Sequence, residues 1–80
     1  MLLTLTVPAL GDEKQTEILL NLWHVRPGSR VEEGEDVAEL ITDKAAFQLP
    51  APAAGRVAEL LADEGAEVKP GQALARLEVD

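Results

Sequence analysis

Residues 25–43 recur as residues 62–80, thirty-seven positions later, and this recurrence restricts the chain to folds built from two like halves. Gly28 pairs with Gly65, Val31 with Val68, Gly34 with Gly71, Ala38 with Ala75, Leu40 with Leu77 and Asp43 with Asp80, six identities in nineteen aligned pairs. Val37 also meets Leu74. These matches fall on turn glycines and apolar strand positions. A unit of this length cannot bury its own apolar face, whereas two units wrapped about a pseudo-two-fold axis can, which predicts a flattened β-barrel of two antiparallel sheets. Equivalent points of such a body lie at opposite ends. The position equivalent to 44 is 81, one past the last residue, so the C-terminus and the first strand beside it belong at the end remote from residue 44. A linker leaving there would leave residue 44 unobstructed.

The breakers agree with short strands. Gly34, Gly55, Gly65, Gly71, Pro50, Pro52 and Pro70 interrupt the Ala-, Glu- and Leu-rich windows at 32–40 and 59–64 before three helical turns can accumulate. Met1 to Val7, with threonines in alternation, reads as a strand. Glu17 to Val25 reads as a second, with Ile18, Leu20 and Leu22 on one face and a bulge allowed by Leu19 and Trp23. Arg26-Pro27-Gly28-Ser29 is a type II turn, Pro fixing one φ and Gly permitting a positive one. The chain turns again at Val31-Glu32-Glu33-Gly34.

Eighty residues make one domain, 1–80, and a chain this short buries only about 60% of its unfolded surface. The net charge is −8, and Lys14, Arg26, Arg30, Lys44, Arg56, Lys69 and Arg76 are scattered, which leaves no footprint for nucleic acid or an anionic membrane. The first residues lack the basic start and small-residue cleavage site of a signal peptide, so the protein is expected to be soluble, monomeric and intracellular. With no cysteine there is no disulfide framework, thiolate metal site or thiol nucleophile. His24 is the only histidine and is given no role. The acidic groups Glu32-Glu33-Glu35-Asp36 and Asp63-Glu64-Glu67 lack a calcium-loop ligand ladder and read as solvated turns. No nucleophile and base pair or phosphate loop is present, so an independent enzyme is not expected.

The stretch Leu40-Ile41-Thr42-Asp43-Lys44-Ala45-Ala46-Phe47 places a lysine between two strands. Val37, Ala38, Leu40 and Ile41 form the first, and Phe47 and Leu49 alternate with Ala46, Gln48 and Pro50 in the second. Thr42 and Asp43 favour a turn, which leaves the Lys44 ammonium in water at a hairpin tip. On these grounds alone Lys44 is ordinary solvated surface.

Thr42-Asp43-Lys44-Ala45, with Gly28 sixteen positions before the lysine and Gly55 eleven after it, resembles the lipoyl-attachment domain of 2-oxoacid dehydrogenase complexes. Val7-Pro8-Ala9-Leu10-Gly11-Asp12 is similar to the family's opening, Trp23 through Gly28 to its second strand and turn, and Leu49 through Gly55 to the segment after the modified lysine. The family often has glutamate three positions before the lysine, where this chain has Ile41. The resemblance implies an all-β barrel-sandwich hybrid with four strands in each sheet, and lipoate in amide linkage on Lys44, with Thr42, Asp43 and Ala45 forming its turn. It further implies a non-catalytic swinging arm, acylated at a 2-oxoacid decarboxylase component, unloaded at an acyltransferase catalytic domain, reoxidised by dihydrolipoyl dehydrogenase and first loaded by a lipoate ligase. The location implied is the cytoplasm, or the mitochondrial matrix in a eukaryote. The opening through Asp12 leans toward pyruvate dehydrogenase acyltransferases. The loop Gly11 to Gln15, holding Asp12, Glu13 and Lys14, is expected near the modified turn as a contact for the decarboxylase.

Two alternatives stand beside this reading. A biotin carrier has a similar fold and hairpin lysine but typically flanks it with methionines, where this chain has Asp43 and Ala45. An unmodified barrel-sandwich module would serve as a structural or adaptor element.

Overall fold

The computed structural model describes residues 1–9 and 17–80. Within them are eight strands: β1 (Leu2–Thr6), β2 (Ile18–Trp23), β3 (Arg30–Val31), β4 (Asp36–Ile41), β5 (Ala46–Pro50), β6 (Gly55–Leu60), β7 (Glu67–Val68) and β8 (Ala73–Val79). They form two four-stranded sheets, ordered β1-β8-β6-β3 and β5-β4-β2-β7, with every neighbour antiparallel. The flattened barrel expected from the repeat is the fold observed.

The two-fold relation reaches individual hydrogen bonds. Moving β2 and β3 forward by 37 positions gives β6 and β7 residue for residue, and β4 lands on β8. Gly28 N–H donates to Val57 O at 2.8 Å, and its equivalent, Gly65 N–H, donates to Leu20 O at 2.7 Å. His24 N–H to Val37 O recurs as Leu61 N–H to Leu74 O, both at 2.8 Å. β1 matches β5 at an offset of 44 rather than 37, because residues 7–17 connect β1 to β2 while only residues 51–54 connect β5 to β6.

Both halves contribute to one core. Leu20, Leu40, Leu74, Leu77, Val31, Val37 and Val68 are its largest fully buried side chains, and Leu40/Leu77, Val37/Leu74 and Val31/Val68 are symmetry mates. Burying each such side chain stabilises by about 1.5–3 kcal/mol. Trp23 packs against this cluster, and its indole Nε1–H donates to Ala62 O at 3.0 Å, tying the end of β2 to the other half.

Two details of the second strand differ from the sequence reading. β2 ends at Trp23 rather than Val25, and Leu22 does not share the phase of Ile18 and Leu20. The register shift between Leu20 and Leu22 makes Asn21 an extra residue, so Leu22 stands opposite Glu39 while Trp23 stands opposite Ala38. One inserted residue reverses the inward and outward alternation beyond it. The turn at Arg26 to Ser29 is as expected: Ser29 N–H donates to Arg26 O at 2.9 Å and Gly28 has φ 92°.

Polar bridges cover the outer faces. The Arg30 guanidinium binds the Asp80 carboxylate through both of its terminal nitrogens, Nη1 to Oδ1 at 2.9 Å, which raises the pKa of Arg30 and holds that of Asp80 below the usual range. Asn21 Nδ2 at 2.8 Å and Gln48 Nε2 at 2.9 Å donate to Glu39 and lower its pKa in that order of effect. Because the folded pKa of Glu39 is depressed, its contribution is present above the unfolded pKa and fades as pH falls through the folded one. We therefore expect Glu39→Gln to be less stable than wild type at pH 6, with the gap closing as the pH falls below about 4. Urea midpoints of the two proteins across this range are the measurement, and a gap that widens on acidification would contradict the assigned cause.

Candidate functional site

β4 and β5 converge on the pair Ile41↔Ala46, and Thr42 to Ala45 turn the chain between them. Thr42 N–H donates to Ala45 O at 2.9 Å. The Thr42 hydroxyl oxygen accepts from the N–H groups of Lys44 and Ala45, both at 3.2 Å, and the hydroxyl donates to Ala45 O, Oγ1 to O 3.3 Å. One hydroxyl thus fixes the backbone on both sides of the lysine. Sequence reasoning divided this task between Thr42 and Asp43. Among the described residues, the hydrogen bonds of the turn go to Thr42 and none comes from the Asp43 side chain.

Asp43, Lys44 and Ala45 are exposed, and Thr42 is half-buried. No ion pair among the described residues engages Lys44. A long flexible amine on a backbone held by its neighbours can reach an acylating partner without loosening the fold. The residues therefore fit an amide-linked prosthetic group: an accessible lysine, a pinned turn and no competing partner among the described residues.

The symmetry locates this tip against the chain ends. Thr42 N–H to Ala45 O has as its equivalent Val79 N–H to Met1 O at 2.8 Å, so the turn matches the place where the two termini meet. β4 runs toward the tip while its mate β8 runs toward the termini, in a body whose longest extent is 36 Å. Lys44 and the termini occupy opposite ends, as the repeat predicts.

A groove absent from the sequence reading opens beside the turn, lined by Glu17, Leu19, Ile41, Thr42 and Asp43. Leu19 and Ile41 face each other across β2 and β4. No residue pattern marks this groove in advance, since its parts lie on two segments distant in sequence. The loop Gly11 to Gln15 lies outside the described residues. His24 sits away from the turn, with Nε2 2.9 Å from Gln48 Oε1 on the outer face. Among the described residues no His, Asp and Glu cluster could hold a metal ion.

Comparison with known proteins agrees with this geometry. A biotin/lipoyl family model, described as biotin-requiring enzyme, matches residues 3–77. The chain is 40% identical over 74 residues to the lipoamide acyltransferase component of the branched-chain alpha-keto acid dehydrogenase complex of Pseudomonas aeruginosa, which is 92% of this chain and 17% of that protein. It is 39% identical over 71 residues to the dihydrolipoyllysine-residue acetyltransferase component of the pyruvate dehydrogenase complex of Corynebacterium glutamicum, 89% of this chain and 10% of that protein. A succinyltransferase component of the 2-oxoglutarate dehydrogenase complex from Staphylococcus saprophyticus is 42% identical over 69 residues, 86% of this chain and 16% of that protein. The chain thus spans less than a fifth of the length of these relatives. The solution structure of the lipoyl domain of the 2-oxoglutarate dehydrogenase complex from Azotobacter vinelandii superposes with a TM-score of 0.73 at 29% identity, covering 92% of this chain and 95% of that one. With a family match over residues 3–77, two four-stranded sheets and a lysine at the β4–β5 turn, the chain belongs to the biotin/lipoyl-attachment family.

Proposed function

We propose that this domain is a lipoyl carrier of a 2-oxoacid dehydrogenase complex, with lipoate in amide linkage on Lys44. The observation that carries the reading is the exposed lysine on a turn pinned by the Thr42 hydroxyl at the end opposite the termini. When bound, lipoate supplies a dithiolane that takes up an acyl group with two electrons and passes both on. The chain itself presents and orients: Thr42 holds the backbone at Lys44 and Ala45, and the rigid two-sheet core keeps the tip clear of the body. It brings no catalytic group of its own to the acyl transfer. Chain continuing from residue 80 would leave from the far end, and tethering would raise the effective concentration of Lys44 at each partner site.

The partners that follow are a 2-oxoacid decarboxylase component, an acyltransferase catalytic domain, dihydrolipoyl dehydrogenase and a lipoate ligase, in the cytoplasm or a mitochondrial matrix. The opening residues favour a pyruvate dehydrogenase complex. The relatives serve branched-chain, pyruvate and 2-oxoglutarate complexes alike, which supports the 2-oxoacid class as the common ground.

The test is intact mass after incubation with a lipoate ligase and lipoate, and in parallel with a biotin ligase and biotin. One added lipoyl group, no biotinyl group and no gain in Lys44→Ala are expected. Modification of Lys69 in that variant, or biotin in place of lipoate, would overturn the assignment.

A further inference from the structure

The outer strands of the two sheets are β1, β3, β5 and β7, and three of them discourage the addition of a further strand. β3 and β7 are two residues long, and β5 ends in Pro50. Short edges and prolines keep sheets from joining edge to edge. β1 has neither device, and Met1 to Val7 contains no charged side chain and no proline. Its backbone alternates without interruption, because the register shift after Leu5 places the extra residue, Leu74, on β8. Met1 O accepts from Val79 N–H at 2.8 Å, and at the other end Val7 N–H donates to Gln72 O at 2.9 Å while Val7 O accepts from Gly71 N–H at 2.8 Å. Residues 1, 3, 5 and 7 therefore bond toward β8. The N–H and C=O groups of Leu2, Thr4 and Thr6 point to the open side, where β1 has no strand partner among the described residues. At the offset of 44 the mates of these residues are Ala46, Gln48 and Pro50, so β5 is closed by a proline at the place where β1 keeps the Thr6 donor.

We infer that β1 is a pairing edge for a second copy of this chain, the two strands running antiparallel about a two-fold axis at Thr4. In this register Thr4 meets Thr4, Leu2 meets Thr6 and Leu3 meets Leu5. The Thr4 pair and the Leu2 and Thr6 pairs exchange both of their backbone bonds, and the Leu3 and Leu5 pairs between them are the closer, non-hydrogen-bonded kind. Leu3, half-buried in one copy, gains an apolar neighbour in Leu5 of the other, and the exposed Leu2 gains the Thr6 methyl group. Any extended peptide offers backbone bonds. What selects a second copy is that this uncharged stretch matches its own reverse, so an isologous contact closes with no like charges opposed across it. β1 starts beside Val79 and runs toward the lysine end, so the pairing sets the two Lys44 tips at opposite ends and covers neither. Each copy carries a net charge of −8, and the repulsion between copies opposes the contact. Salt screens that repulsion, so association strengthens as ionic strength rises, the reverse of an interface held by ion pairs. The inference goes beyond the carrier reading and does not rest on it.

The Azotobacter lipoyl domain, 95% of which this chain covers, shows that a unit of this extent folds alone, so the 80-residue chain is the reagent. Sedimentation equilibrium over a concentration series, at low and at physiological ionic strength, should show a monomer–dimer equilibrium that is stronger at the higher salt. As the dimer forms, the amides of Leu2, Thr4 and Thr6 should exchange with solvent more slowly, while those of Leu3 and Leu5 are protected at every concentration. Thr4→Lys sets two cations face to face at the axis, although it lowers the net charge of each copy, and should weaken association about tenfold or more. Thr6→Pro reproduces the closed edge of β5, removes no bond to β8 and should weaken association to a similar extent. Both variants should melt within a few degrees of wild type, and if Thr6→Pro melts early, Thr4→Lys decides. A wild type that stays monomeric throughout, association unchanged by Thr4→Lys, or association that weakens with salt would overturn the inference. So would Leu2, Thr4 and Thr6 amides already protected in the dilute monomer, since the edge would then be covered within one chain.

Discussion

Exchanging Asp43 and Lys44 is expected to slow loading by a lipoate ligase about a hundredfold, although the lysine remains exposed and the domain folded. The backbone bonds at the tip run from the N–H groups of residues 44 and 45 to the Thr42 hydroxyl and do not involve the exchanged side chains. The turn therefore survives the exchange. What changes is direction: residue 43 borders the groove with Glu17 and Leu19, and residue 44 does not. A lysine at 43 would border the groove that Glu17 also lines, while an aspartate would occupy the tip. A displacement of this order in a reacting group costs on the order of a hundredfold when the enzyme must align it. The measurement is the initial rate of mass gain for both proteins, with circular dichroism confirming equal folding. Equal rates would show that the ligase requires only an accessible amine.

Much of this was legible in the chain because the same pattern is written twice. Gly28/Gly65 and Gly34/Gly71 mark four positive-φ turns among the described residues, and Leu40/Leu77 with Ala38/Ala75 mark the inward faces of β4 and β8. The lysine turn was legible only by resemblance, since a Thr-Asp-Lys on a hairpin has no local signature of attachment. Illegible were features that depend on pairing between distant segments. The extra residue at Asn21 shows only once β2 is set against β4, and it moves Leu22 away from the phase its sequence spacing implies. The groove requires Leu19 to face Ile41, and the Thr42 hydroxyl bonds require the turn's closed backbone. In each case the missing information was register, which local composition does not carry.

Gly55 provides the sharpest case of such hidden register, and Gly55→Ala is expected to destabilise the domain by about 3 kcal/mol. Its symmetry mate is Ile18, a buried side chain, so neither the repeat nor the local sequence marks a need for glycine. The difference lies in the ladders. β2 and β4 last pair at Leu19↔Ile41, because the chain then turns at Thr42, whereas β6 and β8 continue one pair past the equivalent Arg56↔Glu78 to Gly55↔Val79. Gly55 also pairs with Val31 on its other side, so β3 and β8 enclose it. A Cβ there would stand 2.2 Å from the Glu78 carbonyl oxygen and 3.0 Å from Val79 Cα, both backbone atoms that move only if the sheet opens. By contrast a Cβ at Gly28 meets nothing within 4 Å, and Gly28→Ala bears only the strain of its φ of 92°, about 1–2 kcal/mol. For a domain of this size a loss of 3 kcal/mol corresponds to a fall in melting temperature of about 12–24 °C. Thermal melts should place wild type highest, Gly28→Ala below it and Gly55→Ala lowest. A Gly55→Ala protein melting within a few degrees of wild type would mean that β6 and β8 separate at this rung without cost, and that the ladder closing the terminal end is not the constraint inferred here.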